Sequence, residues 1–559
     1  MGIGSLSIRG STCIRRFMTE ERGSLTVFSL FMFILMLMMS GIAVDMMRYE
    51  NTRTIAQNCM DRGVLAAANL EQSMDALDVT TDFLKKCGLD ESLFTVDVDE
   101  DRIGDDLVGR KVLASVDMSL NTFFMHMVGI DQLPIASASA AEERVSEIEI
   151  SMVLDVSGSM GSNNKLANMQ DAAKDFVDII FDQALEDRVS MSMVPYSTQV
   201  NIGPELYSVL NTTTDHDSSH CVDFDSGDYD ATGIDPRKDN LQQAGHFDPW
   251  TAYDRGPAPR AFVCRTDTAF EVTPWSDDID ALKRQIDGFT ASGNTSIDIA
   301  MKWGTALLDP QMAPALDALS SAGIVEDHFV GRPAAFDHES AKKFIVVMTD
   351  GINTTQYELK DAYRRGGSDT WYDPDTRRYS LPIQERGDAD GDGRRREDWW
   401  YARTWGDGDY GRRWIDEAYD RGDDGDDAFA GPFDRVKEDD AAFELSWPQL
   451  FAQMTLSHRA FSHFYQQYGN ADDYYRELRV PYTTVSDTEK DRRLNRICTA
   501  AKAQGIVVFS VGFEVTDASA EVMRNCASSP SHFYRVDGLD ISIAFASIAN
   551  QINQLKLVQ

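Results

Sequence analysis

The longest apolar stretch of the chain runs from Leu25 to Val44 and contains twenty residues without a charge. At ~1.5 Å per helical residue, this stretch covers the ~30 Å hydrocarbon core of a bilayer. We therefore predict one transmembrane helix over residues 25–45. A buried core helix and a cleavable signal peptide are the alternatives, although no small-residue cleavage site follows the stretch.

Basic residues lie on both sides of this predicted span. Four arginines precede it and three follow it closely, namely Arg9, Arg15, Arg16 and Arg22, then Arg48, Arg53 and Arg62. The modest excess on the N-terminal side favours a cytoplasmic N-terminus for residues 1–24. The remainder of the chain is then expected on the other side of the membrane.

Residues 46–145 change from a helical to a strand pattern. Met46 to about Leu77 is rich in helix-forming residues and contains no proline, so the helix is expected to continue out of the bilayer as a stalk. Leu93–Val98 and Lys111–Leu120 alternate in part between apolar and polar residues, as half-buried strands do. We expect a small strand-rich module here.

From Ser146 onward, strand-like apolar runs alternate with helical ones, which indicates an α/β fold with a doubly wound, mostly parallel sheet over residues 146–559. Two insertions are predicted at about 199–273 and 354–487. The expected strands are Ile148–Leu154, Val189–Val194, Phe344–Met348 and Ile506–Val511. The expected helices are Leu166–Phe181, Ile279–Ile286, Ile297–Leu308, Trp447–Tyr468, Arg492–Gln504 and one from about Ile541.

Composition narrows the class of partner and the compartment. The chain has 91 acidic and 53 basic residues and a formal charge of −38, which argues against a nucleic-acid partner. Six cysteines follow the predicted span, and an even number suggests disulfides in an oxidising compartment. Fifteen pairings are possible, with free thiols as a further alternative. We favour Cys221 with Cys264 and Cys498 with Cys526, because these pairs are neighbours in sequence.

Three segments carry oxygen-bearing side chains where an α/β sheet presents ligands, at the carboxyl ends of its strands or just before a helix. These side chains are Asp155, Ser157, Ser159, Thr295 and Asp350. Carboxylate and hydroxyl oxygens are hard ligands that suit Mg²⁺, with Mn²⁺ or Ca²⁺ as alternatives. A polar turn is the simpler explanation for Asp155 to Ser159 taken alone.

The five residues together resemble the metal-ion-dependent adhesion site of von Willebrand factor type A domains, and all five motif positions match. In that family the serines and the threonine touch the ion directly, while the two aspartates can act through waters. One position is left for a carboxylate of a partner. The resemblance therefore implies a von Willebrand type A domain, a bound Mg²⁺ and a protein partner that offers an acidic group.

Both ends of the chain are similar to TadG-type proteins of the tight-adherence (Flp) pilus assembly system. The N-terminal likeness lies in Gly23, Ser24, Gly41–Asp45, Gln57, Asp61 and Ala66–Ala68, and the C-terminal likeness in Asn525–Tyr534, Ala549–Ile552 and Leu555. This resemblance implies a single-pass protein of the bacterial inner membrane whose bulk is periplasmic. Its expected partner is a pilus-assembly component.

A second cation site is a weaker hypothesis. Asp388, Asp390 and Asp392 have the opening spacing of a calcium loop, but its twelfth position is Trp399 instead of Glu. A solvated acidic turn explains the same residues.

We expect no enzymatic activity, because the sequence contains neither a His-Glu-x-x-His nor a Gly-x-Ser-x-Gly pattern. The leading hypothesis is a membrane-anchored periplasmic binding module of pilus assembly. The alternative is a surface-exposed adhesive or structural protein in which the metal only stabilises the loops.

Overall fold

The structure, a computed structural model, describes residues 24–70, 72–103, 106–182, 187–338, 340–374, 378–382, 399–402, 414–415, 443–465, 470–554 and 557–558. These residues form two compact units. The first contains the residues up to Val145 and the strand Leu557–Val558, and the second begins at Ser146. The sequence predicts that the chain from residue 146 to its last residue, 559, lies in the second domain. Its last strand instead pairs with the sheet of the first unit.

The first unit begins with one long helix, Ser24–Ala68. Among the described residues it is the one helix that is long and apolar enough to cross a membrane. It ends at Ala68, short of the predicted Leu77. The guanidinium of Arg110 donates to the carbonyl oxygens of Ala67 and Asn69, at 3.2 and 2.9 Å, and so satisfies carbonyls at the helix end.

A second helix, Ala76–Lys86, follows with Asp75 as its N-cap. A disulfide joins Cys59 of the long helix to Cys87 just after this one. The sheet of this unit is antiparallel with the order β1–β2–β3–β19, where β1 is Phe94–Ile103, β2 Asp106–Asn121, β3 Gln132–Val145 and β19 Leu557–Val558.

The long helix packs on one face of this sheet. Its side chains Ala56, Met60 and Val64 form a buried cluster with Val112 and Ala114 of β2. A row of polar contacts runs beside that cluster: Ser137 of β3 donates to Gln57, and Ser139 donates to Asp61 at 2.6 Å. Helix and sheet are therefore joined by both apolar packing and hydrogen bonds.

The second unit contains a six-stranded sheet with the order β18–β17–β9–β4–β5–β8. All neighbouring strands are parallel except β5 and β8, which are antiparallel. The strands are β4 Glu147–Asp155, β5 Val189–Tyr196, β8 Thr273–Ser276, β9 Ala341–Thr349, β17 Val507–Phe513 and β18 Phe533–Val536. The four predicted strands of this region match β4, β5, β9 and β17.

Helices cover both faces of this sheet. One buried cluster joins Val153 and Val347 to the helices Ile297–Ala306, Ala313–Ser321 and Asp487–Ala503. The other joins Met152 and Val346 to the helices Lys165–Asp182, Ile279–Asp287 and Asp540–Gln554. Alternate residues of each strand enter opposite clusters, which explains why the strands read as continuous apolar runs. The helix Asp517–Cys526 precedes β18.

The first insertion is held by the disulfide between Cys221 and Cys264. It contains the helix Gly203–Ser208 and a two-stranded sheet of β6 Val222–Asp223 and β7 Gln242–Gln243. Outside the insertions, a third disulfide joins Cys498 to Cys526.

The second insertion leaves the fold through a two-stranded stem, in which β10 Gln356–Leu359 pairs with β16 Tyr482–Val485. Beyond the stem lies a five-stranded sheet of β11 Gly367–Asp373, β12 Arg378–Pro382, β13 Trp399–Ala402, β14 Trp414–Ile415 and β15 Phe443–Ser446.

The single helix predicted for Trp447–Tyr468 was wrong. The chain forms the helix Trp447–Gln453, leaves helical geometry at Met454, and resumes as Leu456–Arg459 followed by a π-helical turn, Ala460–Tyr465. The break occurs where the amide of Thr455 donates to the carbonyl of Pro257, at 2.9 Å. The helix Ala471–Arg479 then leads back to the stem.

Candidate metal centre

Two neighbouring parallel strands end at the candidate site. Leu154 pairs with Met348, so Asp155 at the end of β4 and Asp350 just after β9 come out at the same edge of the sheet. Asp155 is fully buried, and 6% of Asp350 is exposed. Parallel pairing therefore brings together two carboxylates that are far apart in sequence.

The loop after β4 places two serine hydroxyls beside these carboxylates. The amide of Ser157 donates to Asp155 Oδ1 at 2.8 Å, which turns the chain back over the strand end. A short 3₁₀ helix, Gly158–Gly161, follows. Ser157 Oγ lies 3.0 Å from Ser159 Oγ, and Ser159 Oγ donates to Asp350 Oδ1 at 2.7 Å. Four of the five predicted ligands thus form one hydrogen-bonded chain.

Asp155 is held from both of its oxygens. Thr349 Oγ1 donates to Asp155 Oδ2 at 2.7 Å, while Oδ1 accepts from the amide of Ser157. Burial, together with the negative charge of Asp350, raises the pKa of Asp155 to about 6. Burial and the neighbouring carboxylate therefore outweigh the hydrogen bonds that Asp155 accepts.

Lys165 places a positive charge beside Asp350. Its Nζ donates to Asp350 Oδ2 at 3.1 Å and lies 3.7 Å from Glu514 Oε2. Lys165 stands at the start of the helix that follows the serine loop. The role of Lys165 is not visible in the sequence, since one lysine after a polar loop is ordinary helix surface.

The loop of Thr295 reaches the same edge through its backbone. The amide of Gly158 donates to the carbonyl of Gly293 at 2.9 Å. Gly293 has φ +87°, and a β-carbon there would lie 2.7 Å from Thr198 Oγ1, so this position requires glycine. Thr295 is 4% exposed, and its amide donates to Thr354 Oγ1 at 2.8 Å. The structure thus ties the Thr295 loop to both neighbouring loops.

Lys490 holds the Thr295 loop in place through its ammonium group. Its fully buried Nζ donates to the carbonyl oxygens of Thr295 and Thr354, both at 2.8 Å, and to Ser296 Oγ at 2.6 Å. Burial lowers the pKa of Lys490 to about 8. The role of Lys490 is not visible in the sequence either, because nothing local distinguishes a lysine on a helix 195 positions away from Thr295.

The donor set fits a hard divalent cation. It consists of two buried carboxylates and two hydroxyls at the mouth of a loop, and Ser159 is exposed to solvent. Oxygen ligands of this kind select Mg²⁺, Mn²⁺ or Ca²⁺ over softer metals. The residues that could hold such an ion are Asp155, Ser157, Ser159 and Asp350, with Thr295 on the adjoining loop.

Two other groups of residues carry possible cation ligands. The predicted calcium ligands Asp388, Asp390 and Asp392 lie outside the described residues. Asp187, Asp277 and His328 come together elsewhere in the second unit. However, the two ring nitrogens of His328 face different carboxylates, at 3.7 and 2.9 Å, as in a bridging ion pair.

The long helix of the first unit is the part of the chain that a known family describes. Residues 23–70 match the family model of Flp pilus-assembly TadE/G-like proteins. The match includes Gln57 and Asp61, which bind the serines of β3. No curated protein matches the chain.

Solved structures similar to the chain include three pilus proteins. The vWF domain of the type V pilus tip protein Mfa5 from Porphyromonas gingivalis is 12% identical with a TM-score of 0.30, covering 73% of this chain and 96% of that one. The open conformation of the pilus adhesin SpaC from Lactobacillus rhamnosus GG is 11% identical with a TM-score of 0.31, covering 83% and 34%. The pilus adhesin RrgA from Streptococcus pneumoniae is 12% identical with a TM-score of 0.26, covering 83% and 48%. TM-scores of this size do not establish a shared fold.

Proposed function

We propose that this chain is a membrane-anchored binding protein of tight-adherence pilus assembly. In this proposal, the second unit is a von Willebrand type A domain that binds a carboxylate of a protein partner through a divalent cation. The observation that carries the proposal is the hydrogen-bonded chain from Ser157 through Ser159 to Asp350, next to the buried Asp155. We propose Mg²⁺ as the cation.

The charges at the site support a bound cation and, through that cation, an anionic partner. Asp155 and Asp350 contribute two negative charges and Lys165 one positive charge. A bound divalent cation would supply a Lewis-acidic centre with an open coordination position for a partner's oxygen. The protein's part is to hold its ligands still: Thr349 and the amide of Ser157 fix Asp155, and Lys165 orients Asp350.

The exposure of the site supports binding of a large partner. Gly158 and Ser159 are exposed, whereas Asp155 and Ser157 are buried beneath them. A side chain on the surface of another protein can reach such a site without entering a deep cleft. The described hydrogen-bond partners of the site are serine, threonine and lysine side chains and backbone groups, and we propose no catalytic role for it.

The family match and the cysteines support the proposed location. The matched segment, residues 23–70, contains the apolar helix that is long enough to cross a membrane. Three disulfides lie after that apolar run, and disulfides persist in oxidising compartments such as the bacterial periplasm. We therefore propose a cytoplasmic N-terminus and a periplasmic bulk, anchored in the inner membrane.

The test is capture of partners from solubilised membranes of the native host by the full-length protein, with Mg²⁺ or with EDTA. We expect Asp155→Ala and Ser159→Ala to lose the Mg²⁺-dependent partner while remaining folded. Ser162→Ala is the matched control, since it removes a hydroxyl from an exposed residue three positions further along. Capture that is unchanged by EDTA and by Asp155→Ala would contradict the proposed mechanism.

A test on whole cells of the native host separates the alternative of a surface adhesin. Protease treatment of whole cells should leave a periplasmic assembly protein intact, whereas a protein exposed on the cell surface is digested. If the metal only stabilises the loops, EDTA will lower the melting temperature without changing which proteins are captured.

A further inference from the structure

The loop between β2 and β3 carries an exposed apolar tip on a polar base. Its apolar residues and their exposed fractions are Phe123 60%, Phe124 42%, Met127 64%, Val128 46% and Ile130 40%. The base is closed by hydrogen bonds, because the amide of Thr122 donates to the carbonyl of Asp131 at 3.0 Å and Gln132 donates to Asn121 at 3.1 Å. Clustered exposed apolar side chains of this kind mark an interaction surface.

The tip is fastened to the long helix at the end of its apolar run. Asp45 is 1% exposed, and its carboxylate accepts from the amides of Phe123, Phe124 and Met125 at 2.9, 2.7 and 2.8 Å. The guanidinium of Arg48 lies 3.7 Å above the ring of Phe123. The position of the loop relative to the helix is therefore fixed by specific contacts.

The depth of the loop follows from Gly41. A β-carbon on Gly41 would lie 2.6 Å from Cγ of Phe124, so the ring touches the helix backbone there. Gly41 precedes Val44, the last residue of the apolar run, by three positions. At ~1.5 Å per residue, Phe124 therefore lies about 5 Å inside the end of the run.

We propose that residues 123–130 form a second membrane contact, which inserts into the outer interfacial layer of the bilayer that the helix crosses. Interfacial segments bury apolar side chains roughly 5–10 Å deep, which agrees with the depth of Phe124. A bilayer is the occupant we favour, because the apolar tip continues the apolar surface of the helix, while the polar base and Arg48 lie at the level where lipid headgroups begin.

The test uses the full-length protein in nanodiscs of phosphatidylethanolamine and phosphatidylglycerol, with the photo-crosslinker p-benzoylphenylalanine in place of Met127. Leu113 is the matched control site, since it is 45% exposed in the same unit. It lies eight residues, about 26 Å of strand, before the end of β2. We expect lipid adducts at Met127 to exceed those at Leu113 at least about ten-fold, as buried interfacial segments contact acyl chains.

Equal lipid adducts at the two sites would overturn the proposal. Adducts at Met127 with a second copy of the chain or with another protein, in place of lipid, would overturn it as well. The disulfide between Cys59 and Cys87, detected by mass spectrometry, confirms that each labelled protein has folded.

A second measurement reports depth. Met127→Trp and Leu113→Trp are compared in nanodiscs with and without brominated acyl chains, and the signal of the nine native tryptophans is subtracted. We expect quenching only at Met127→Trp. Quenching of neither tryptophan, or of both equally, would contradict insertion. This test is independent of the metal centre, so it can succeed or fail whatever happens to the proposed binding function.

Discussion

The two units of the protein connect their polar groups in different ways. In the first unit the contacts follow one helix and the residues just after it: Gln57 meets Ser137, Asp61 meets Ser139, and Glu143 accepts from the amide of Leu70. In the second unit they join loops that are distant in sequence, since Ser159 and Asp350 are 191 positions apart. A substitution at Gln57 or Asp61 therefore removes a contact with one strand, whereas one at Ser159 or Asp350 affects several loops.

The largest predicted loss of stability concerns two disulfides, one in each unit, that close loops of equal length. Cys59–Cys87 and Cys498–Cys526 both join residues 28 positions apart. Loop-closure entropy predicts that each stabilises its unit by about 4 kcal/mol. Replacing Cys59 and Cys87 with alanine should speed amide hydrogen exchange in the helix Ala76–Lys86. Replacing Cys498 and Cys526 should speed it in the helix Asp487–Ala503.

The difference between these pairs lies in burial. Cys498 and Cys526 are 0% and 2% exposed, whereas Cys59 and Cys87 are half-buried. A mild reductant should therefore reduce Cys59–Cys87 first. If packing adds to the loop-closure entropy, removing Cys498–Cys526 should lower the free energy of unfolding more than removing Cys59–Cys87. Equal reduction rates would show that burial does not distinguish the two.

The next effect is a pH dependence confined to the second unit. Burial and the nearby charge of Asp223 raise the pKa of Glu358, in the stem of the second insertion, to about 7 from 4.5. The folded state therefore binds this proton more tightly, and stability falls as the pH rises from about 4.5 to 7. We expect Glu358→Gln to be more stable than wild type at pH 8 by up to roughly 3 kcal/mol, and nearly equal to it at pH 4.

Thermal unfolding from pH 4 to pH 8 checks this prediction. The exposed Glu521→Gln is the control and should keep the wild-type pH dependence. A gain for Glu358→Gln that is the same at both pH values would instead indicate a packing effect that does not depend on charge.

A cation should stabilise only the second unit. At a free Mg²⁺ concentration 100 times its Kd, binding adds about 2.7 kcal/mol to the stability of the folded state. We expect Asp350→Asn to abolish the rise in melting temperature on addition of Mg²⁺. Asp61→Asn in the first unit should leave that rise intact, and losing it in both variants would mean that the ion acts elsewhere.

The smallest predicted loss of stability concerns Asp45 in the first unit. Asp45→Ala leaves three amides, those of Phe123, Phe124 and Met125, without their acceptor. An unpaired buried group costs roughly 1–3 kcal/mol, and the loop can relieve part of this by moving, so we expect about 1–2 kcal/mol. Hydrogen exchange at these amides in nanodiscs should accelerate at least ten-fold, or about 1.4 kcal/mol.

Glu50→Ala is the matched control for Asp45→Ala. Glu50 stands on the same helix, and its side chain is 58% exposed. Exchange at residues 123–125 should stay at the wild-type rate in this variant. Acceleration in both variants would assign the effect to the helix as a whole.

Periodicity sufficed for most of the elements. The apolar runs of β4, β9 and β17 and the spacing of the helix Lys165–Asp182 predict strand and helix within a few residues. Periodicity failed at Met454, where the helix ends and the next residue, Thr455, bonds to Pro257, and at Ala68, where Arg110 meets the helix end. In both cases the partner lies far away in sequence.

The candidate site shows the same limit. Asp155, Ser157, Ser159, Thr295 and Asp350 can be named from the residue types that follow predicted strands or precede a helix. Lys165 and Lys490 cannot, because their roles depend on which carboxylate or carbonyl each ammonium reaches. A lysine on a helix is ordinary in sequence, and only its buried contacts distinguish it.

The apolar run from Leu25 to Val44, the alternation of strands and helices, and the residue types of the candidate metal site can all be read from local sequence. Three features depend on the folded chain: Asp155 and Asp350 share one sheet edge, the last strand returns to the first unit, and Phe124 rests on Gly41. The two groups of features differ in how far along the chain their causes act. Local patterns follow from backbone geometry and solvent exposure, whereas contacts between distant segments depend on strand order and packing.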